Sequence, residues 1–274
     1  FNMKTYKVDI QIEPKYHGRV KFISQLNDGN LFYYEYDHST EGPWEDDDHY
    51  NYLVELSEND YSDKTDILPE KSYYNILKQN SDDIIFGGIN YKIKDEKYCS
   101  TNASGSKRIE KLVKNDEKYS MVACLNKNFV DFVLLKNNKM ALISKNILEF
   151  YEIEAFKKCE QSVKFNKELE ALSVFDDKFL LIGTESNVEI YDYKNFKNVK
   201  TIFIPDNVKV IYVNLNKVYI ACEWDIANEY EIDNDGNYNQ ISSIPLQNKQ
   251  INDITVVVKD GRLITCTGKI RIWS

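Results

Sequence analysis

The chain has 274 residues, 42% apolar and 29% charged, with a formal net charge of −9. At this length roughly three-quarters of the unfolded surface can be buried, so a core needs neither disulfides nor metals. The acidic balance argues against nucleic-acid binding, which draws its affinity from concentrated Lys and Arg. The arginines, Arg19, Arg108, Arg262 and Arg271, are scattered. Five cysteines (Cys99, Cys124, Cys159, Cys222 and Cys266) are odd in number and form no C-x-x-C pair. That usage fits a reducing, cytoplasmic setting, with Cys222 and Cys266 as small buried hydrophobes. No run reaches the ~18 apolar residues of a membrane span, and no signal-peptide core opens the chain. The start, Phe1-Asn2-Met3, leaves room for a longer protein of which this is a piece.

In chain order, the first element is a strand over 5–12, alternating Tyr6, Val8, Ile10 and Ile12. Strands over 19–26, 31–36 and 51–56 follow, read from apolar runs rich in Val, Ile, Tyr and Phe between polar turns. Between the second and third of these, 37–49 holds Trp44, Glu45, Asp46, Asp47 and Asp48 between His38 and His49. Further strands are expected over 73–78 and 83–88, then either 90–94 or 108–113, then 119–125. The stretch 94–107, with Cys99 and four Ser or Thr residues, reads as a loop and as a candidate phosphorylation or partner site. No helical period and no Gly-rich linker interrupts the pattern. Residues 1–274 therefore read as one all-β domain.

From residue 130 onward the chain repeats itself. Lys139-Met140-Ala141-Leu142-Ile143, Lys178-Phe179-Leu180-Leu181-Ile182 and Lys217-Val218-Tyr219-Ile220-Ala221 start 39 residues apart, and Arg262-Leu263-Ile264-Thr265-Cys266 continues the series. Each follows a tight polar turn and precedes a strand with a late aromatic residue: Tyr151, Tyr191, Tyr230 or Trp273. Four strands in about 40 residues make one propeller blade. The last unit, ending Gly268-Lys269-Ile270-Arg271-Ile272-Trp273, resembles the WD40-repeat family. The resemblance is clear over 130–274 and faint over 19–126. It departs from the family pattern in lacking Gly-His pairs and in carrying Tyr for Trp in three of the four clear units.

The fold expected is a WD40-like β-propeller with blades at about 19–68, 73–126, 130–166, 169–205, 208–246 and 251–274. Six blades are favoured over seven. The last unit stops after its third strand, so the N-terminal strand is expected to complete it and leave no free edge. The second strands read as buried on both sides, whereas Val188-Glu189-Ile190-Tyr191-Asp192 alternates as a partly exposed strand would.

No phosphate-binding loop, nucleophile elbow, dinucleotide fingerprint or H-E-x-x-H motif occurs. The expectation is a non-catalytic scaffold for other proteins, or a subunit of an assembly, with no cofactor, nucleic acid or membrane insertion. In the WD40 family the connection between second and third strands lies on the top face, where partners dock. Trp44 followed by Glu45, Asp46, Asp47 and Asp48 would then offer an apolar anchor in an acidic patch, suited to a Lys/Arg-rich segment. The bland alternative is a solvated insertion. Trp224-Asp225 spells the WD dipeptide but falls in a connection, the matching position being Tyr230-Glu231, and makes Trp224 a second candidate anchor. Asp233-Asn234-Asp235-Gly236-Asn237 resembles half a calcium loop but reads as a hairpin turn. The other function classes are a propeller hydrolase or lactonase with a divalent metal in the channel, and the C-terminal module of a longer enzyme.

Overall fold

The computed structural model describes residues 8–12, 19–25, 31–38, 49–56, 63–64, 74–79, 85–89, 108–115, 118–136, 138–222, 226–245, 253–256, 262–266 and 270–273. They contain no helix. Strand β1 (Val8–Ile12) is followed by β2 (Arg19–Gln25), β3 (Leu31–His38), β4 (His49–Leu56) and β5 (Asp63–Lys64). Next come β6 (Tyr74–Gln79), β7 (Ile85–Ile89), β8 (Arg108–Asn115) and β9 (Lys118–Asn126). The repeat region supplies β10 (Asp131–Leu135), β11 (Lys139–Ser144), β12 (Ile147–Glu152), β13 (Lys157–Lys164), β14 (Leu169–Phe175), β15 (Phe179–Thr184), β16 (Asn187–Asp192) and β17 (Lys197–Phe203). The chain finishes with β18 (Val208–Asn214), β19 (Lys217–Cys222), β20 (Ile226–Ile232), β21 (Tyr238–Pro245), β22 (Asp253–Val256), β23 (Leu263–Cys266) and β24 (Ile270–Trp273). Of the two segments weighed for the third strand of the second sheet, it is the later, Arg108–Asn115, that pairs.

Among the described residues these strands form six four-stranded antiparallel sheets. Five are built from consecutive strands, and the sixth has the order β1-β24-β23-β22. The N-terminal strand thus caps the C-terminal one, with Ile10 facing Ile272 and Ile12 facing Ile270. The first strands of neighbouring sheets pack on one another in the order β2, β6, β10, β14, β18, β22, and β22 packs again on β2.

The repeated sequence signals map onto matching ladder positions, with the fourth sheet offset by one residue. Tyr151 faces Met140, Tyr191 faces Leu180, Tyr230 faces Val218 and Trp273 faces Leu263. The turns between first and second strands carry Asn138, Asp176 and Leu215 at φ 54°, 55° and 56°. Asn and Asp tolerate this left-handed region through their short polar side chains, whereas Leu does not. Leu215 is 87% exposed, so no packing compensates it.

Packing explains why the strands must be so apolar. β15 is buried at every position and β11 and β19 nearly so, because each blade lies between two others. β16 is buried too, except at Glu189, so the third strand is not the half-exposed element its alternation suggested. Both its faces meet neighbouring blades, and the exposure falls on the outermost strand instead, as in β17. One core cluster joins Phe179, Leu181 and Ile190 to Val208, Ile220 and Tyr230 of the next blade. Another joins Val20, Leu31 and Tyr33 to Ile264, Cys266 and Ile272, and Cys266 Sγ donates to the Val20 carbonyl at 3.1 Å. The buried Trp273 Nε1–H donates to Thr265 Oγ1 at 2.9 Å, one Trp-to-hydroxyl link surviving where the full WD hydrogen-bond set was not expected.

Four of the outer strands pair irregularly. Val122, Val199 and Ile241 are extra residues opposite the ladder in β9, β17 and β21, and β13 shifts register opposite Phe150. A bulged edge twists away from straight pairing with another chain.

The fourth and fifth blades approach closely at Gly183, where an added Cβ would lie 2.7 Å from Val208 Cγ1, and 3.2 Å from Ala171 Cβ of its own blade. Gly183→Ala is therefore expected to cost about 1–3 kcal/mol through overpacking. Leu215→Gly, which relieves a left-handed side chain, should instead add roughly 0.5–1 kcal/mol. Chemical denaturation of the two variants beside the native chain checks both signs.

Candidate docking face

Antiparallel order sends every second-to-third strand connection, and every link from one blade to the next, to the same end of the molecule. The starts of the first strands mark this end. Asp131 Oδ2 accepts the Leu172 N–H at 2.8 Å, and Lys209 Nζ pairs with Glu170 Oε2 at 3.3 Å, so β10, β14 and β18 are laced together there. Glu170 and Lys209 are themselves bulge residues, as are Lys21 and Asn75 in β2 and β6.

In two blades this rim is tight. Leu169 N–H donates to the Lys145 carbonyl at 2.6 Å, and Asn146 Nδ2 donates to the Phe165 carbonyl at 3.2 Å. Thr184 Oγ1 bonds Asn187 Oδ1 at 2.9 Å across the next turn. Phe203, at the outer corner of that blade, is 81% exposed. Residue type did not signal this, because an apolar residue closing a strand reads as core.

The long connections share the same end. The β3–β4 ladder runs through eight facing pairs and finishes at His38 opposite His49. In the fourth sheet the corresponding ladder stops at Gly183 opposite Val188. His38 and His49 are therefore strand residues rather than loop residues, and the first blade's hairpin reaches about 10 Å further, at ~3.3 Å per residue. Residues 39–48 join its two strands. Residues 90–107 likewise join β7 to β8, and 223–225 join β19 to β20. Trp44, Glu45, Asp46, Asp47, Asp48 and Trp224, together with 94–107, lie outside the described residues. What the strands place is the point where each connection leaves the sheet.

Beneath the rim, two carboxylates at the same ladder position, Glu149 buried and Glu189 half-buried, behave oppositely. Glu149 faces Leu142 and Glu189 faces Ile182, each two residues before its tyrosine. Burial pushes the Glu149 carboxyl up, but Lys127, 2.6 Å away, and Lys158 pull it further down, and the net shift is below the ordinary value. Among the described residues Glu189 has an Asn198 amide at 3.2 Å as its side-chain partner, and partial burial raises it despite the more distant charge of Lys167. A third, Glu229, is wholly buried among Lys217 Nζ at 2.8 Å, Ser242 Oγ at 2.7 Å and Tyr219 Oη at 3.3 Å.

At the opposite end, the Asp233–Asn237 segment is a hairpin turn. Asp233 Oδ1 accepts the N–H groups of Asp235 and Asn237, Oδ2 accepts Asn237 Nδ2, and Gly236 takes φ 78°. Those bonds, the Asn237 side chain first, hold the Asp233 carboxyl below its usual range. Among the described residues no group of three or more His, Cys, Asp or Glu side chains converges as a metal site would.

Compared with solved structures, the chain is similar to the WD40 β-propeller domain of Doa1, with a TM-score of 0.64 at 14% identity. The match covers 98% of this chain and 96% of that one. The fold is therefore that of a WD40 β-propeller. No protein-family model and no curated protein sequence matches the chain.

The two glutamates generate a paired prediction. Glu149, whose folded value is lowered, contributes stability that is present above the ordinary carboxylate value and lost as pH falls through the folded one. Glu149→Gln should cost roughly 1–3 kcal/mol at pH 7, and the gap to the native chain should close on acidification. Glu189→Gln should be neutral or slightly stabilising at pH 7, because its raised value marks a charge that folding disfavours. Urea melts of the three proteins at pH 7 and near pH 3.5 separate these outcomes.

Proposed function

We propose that the chain is a non-catalytic docking platform, or one subunit of a larger assembly, that binds other proteins at the end carrying its second-to-third strand connections. The observation that supports this most is positional. The long connections, 39–48 and 90–107, leave the sheets at one end, beside a rim that adjacent blades hold rigid. Blade insertions gathered on one face are the usual mark of a binding face in repeat proteins.

In this reading Trp44 supplies the apolar anchor, and Glu45, Asp46, Asp47 and Asp48 supply a negative surround for a Lys/Arg-rich segment. Trp224, in the connection of the fifth blade, is the second anchor, and the exposed Phe203 adds apolar area at the rim. The setting assigned is the cytoplasm, where Cys124, Cys159, Cys222 and Cys266, all free thiols, would remain reduced.

The test is an affinity capture from the native source, comparing the native chain with a variant carrying Trp44→Ala and Ser at Asp46, Asp47 and Asp48. A stoichiometric partner retained by the native chain and lost by the variant, with more than tenfold lower recovery, is the expected result. Equal recovery by both proteins would remove the acidic connection from the binding site. A folded control, verified by an unchanged melting midpoint, keeps the comparison interpretable.

A further inference from the structure

The end opposite the docking face, where first-to-second and third-to-fourth strand turns emerge, carries an open groove between the third and fourth blades. Its volume is about 430 Å³. The floor is aromatic. Phe150 of β12 meets Phe196 edge-on, with ring centroids 5.9 Å apart, and lies 6.4 Å from Tyr193. The rim is basic, with Lys136, Lys139 and Lys194 around it and Asp177 as the one carboxylate that lines it. Lys136 already pairs with Asp177, and Tyr193 Oη donates to the Asp177 carbonyl at 2.8 Å. Lys139 and Lys194 make no ion pair among the described residues. Three lysines against one carboxylate is a local positive excess in the lining of a chain of net charge −9, with Asp176 and Asp192 close by but outside the lining.

The neighbouring blade boundary shows that such a groove is not required by the fold. Between the fourth and fifth blades the corresponding turn settles at Gly236, whose Cβ position is 3.4 Å from Ile190 and 3.5 Å from Val199. Tyr238 Oη donates to the Thr201 carbonyl at 3.2 Å, and Lys200 bonds Asn237, so that crevice is bridged. Between the third and fourth blades, Phe196 occupies the turn at φ 53°, a conformation a bulky side chain adopts only at a cost. Its ring stands edge-on against Phe150, 36% exposed, and walls the groove. Phe156 holds the same turn position in the third blade at φ 47°, buried in the core, so what sets Phe196 apart is the exposure of its ring rather than its backbone.

The geometry points to a second docking site here, for an extended acidic segment of a partner protein. One aromatic or branched apolar side chain of that segment seats against Phe150, Tyr193 and Phe196, while its carboxylates meet Lys139 and Lys194. Charge complementarity selects the occupant: an aromatic floor takes the anchor and the unneutralised lysines take the flanking acids. The groove lies at the other end from residues 39–48, so this site stands or falls independently of the acidic connection.

The experiment uses the full chain and a fluorescein-labelled peptide, Asp-Glu-Asp-Trp-Asp-Glu-Asp, read by fluorescence anisotropy. Lys139→Glu/Lys194→Glu is compared with the charge-matched Lys164→Glu/Lys167→Glu, and Phe196→Ser with the native chain. Saturable binding that weakens at least tenfold in the groove variants, stays within twofold in the charge-matched control, and falls at least fivefold when the peptide's Trp is replaced by Ser supports the site. Equal loss in both charge variants, tight binding of the Trp-free peptide, or no binding by the native chain overturns it. Sedimentation that shows a dimer of the native chain dissolving in Lys139→Glu/Lys194→Glu would reassign the groove to a second copy. Circular dichroism melts of every variant separate loss of binding from loss of fold.

Discussion

A four-stranded sheet with two apolar faces cannot be stable alone, and everything else in this protein follows from covering both faces. β15 is buried along its whole length only because one blade lies on each side of it. A linear stack would leave two terminal faces in water, each carrying aliphatic side chains worth roughly 25 cal/mol per Å² of exposed apolar area. The pairing of β1 with β24, together with the packing of β22 on β2, covers those faces and joins the two chain ends. The same requirement explains the buried Trp273: it sits in the third strand of that joined sheet, held by Thr265, where exposed backbone would otherwise invite another chain.

Once both faces are committed to packing, variation is confined to the two ends and the outer edge. The outer edge is blunted by bulges. The ends differ in chemistry. One carries the long connections, among them the run Trp44, Glu45, Asp46, Asp47 and Asp48, beside a rim braced by Asp131 and the Glu170–Lys209 pair. The other carries tight hairpin turns, with a lysine-rimmed aromatic groove where Phe196 stands in a turn that the next blade builds around Gly236. A rigid ring with chemically distinct ends suits a protein that holds partners in fixed relation, since the scaffold loses little entropy when they bind.

Polar groups inside the blades show how finely position and surroundings trade off. Glu149 and Glu189 have the same strand, the same register and the same tyrosine two residues later. Only Glu149 has Lys127 and Lys158 within reach, Lys127 arriving from the link between two blades. The buried Glu149 is tolerable because cations replace its lost water, whereas the half-buried Glu189 gains only an amide and its charged form is disfavoured.

Much of the architecture was legible in the sequence because β-structure has a short period and this chain repeats it. The 39-residue spacing of the second strands, the polar turns before them and the aromatic residues after them identified blades without any coordinates. The unpaired alternation of Val8, Ile10 and Ile12, set against a last unit one strand short, pointed to the partner that β1 takes. Hairpin turns were readable where Asn, Asp or Gly accept a left-handed backbone, as at Asn138, Asp176 and Gly236, and where Asn214 and Asn216 flank Leu215, but the left-handed residue itself was not readable at Leu215, Phe156 or Phe196, which local propensity disfavours there. Burial of the third strand was not legible, because alternation records residue type and not which faces other blades will cover. The candidate anchors Trp44 and Trp224 were found as sequence, and the strands add only which end of the blade their connections leave from. The groove was invisible for a different reason: Lys139, Phe150, Tyr193 and Phe196 come from two repeats, and only the packing of one blade on the next brings them together. Periodicity is written into single strands, whereas a surface made by two blades exists only once the ring has formed.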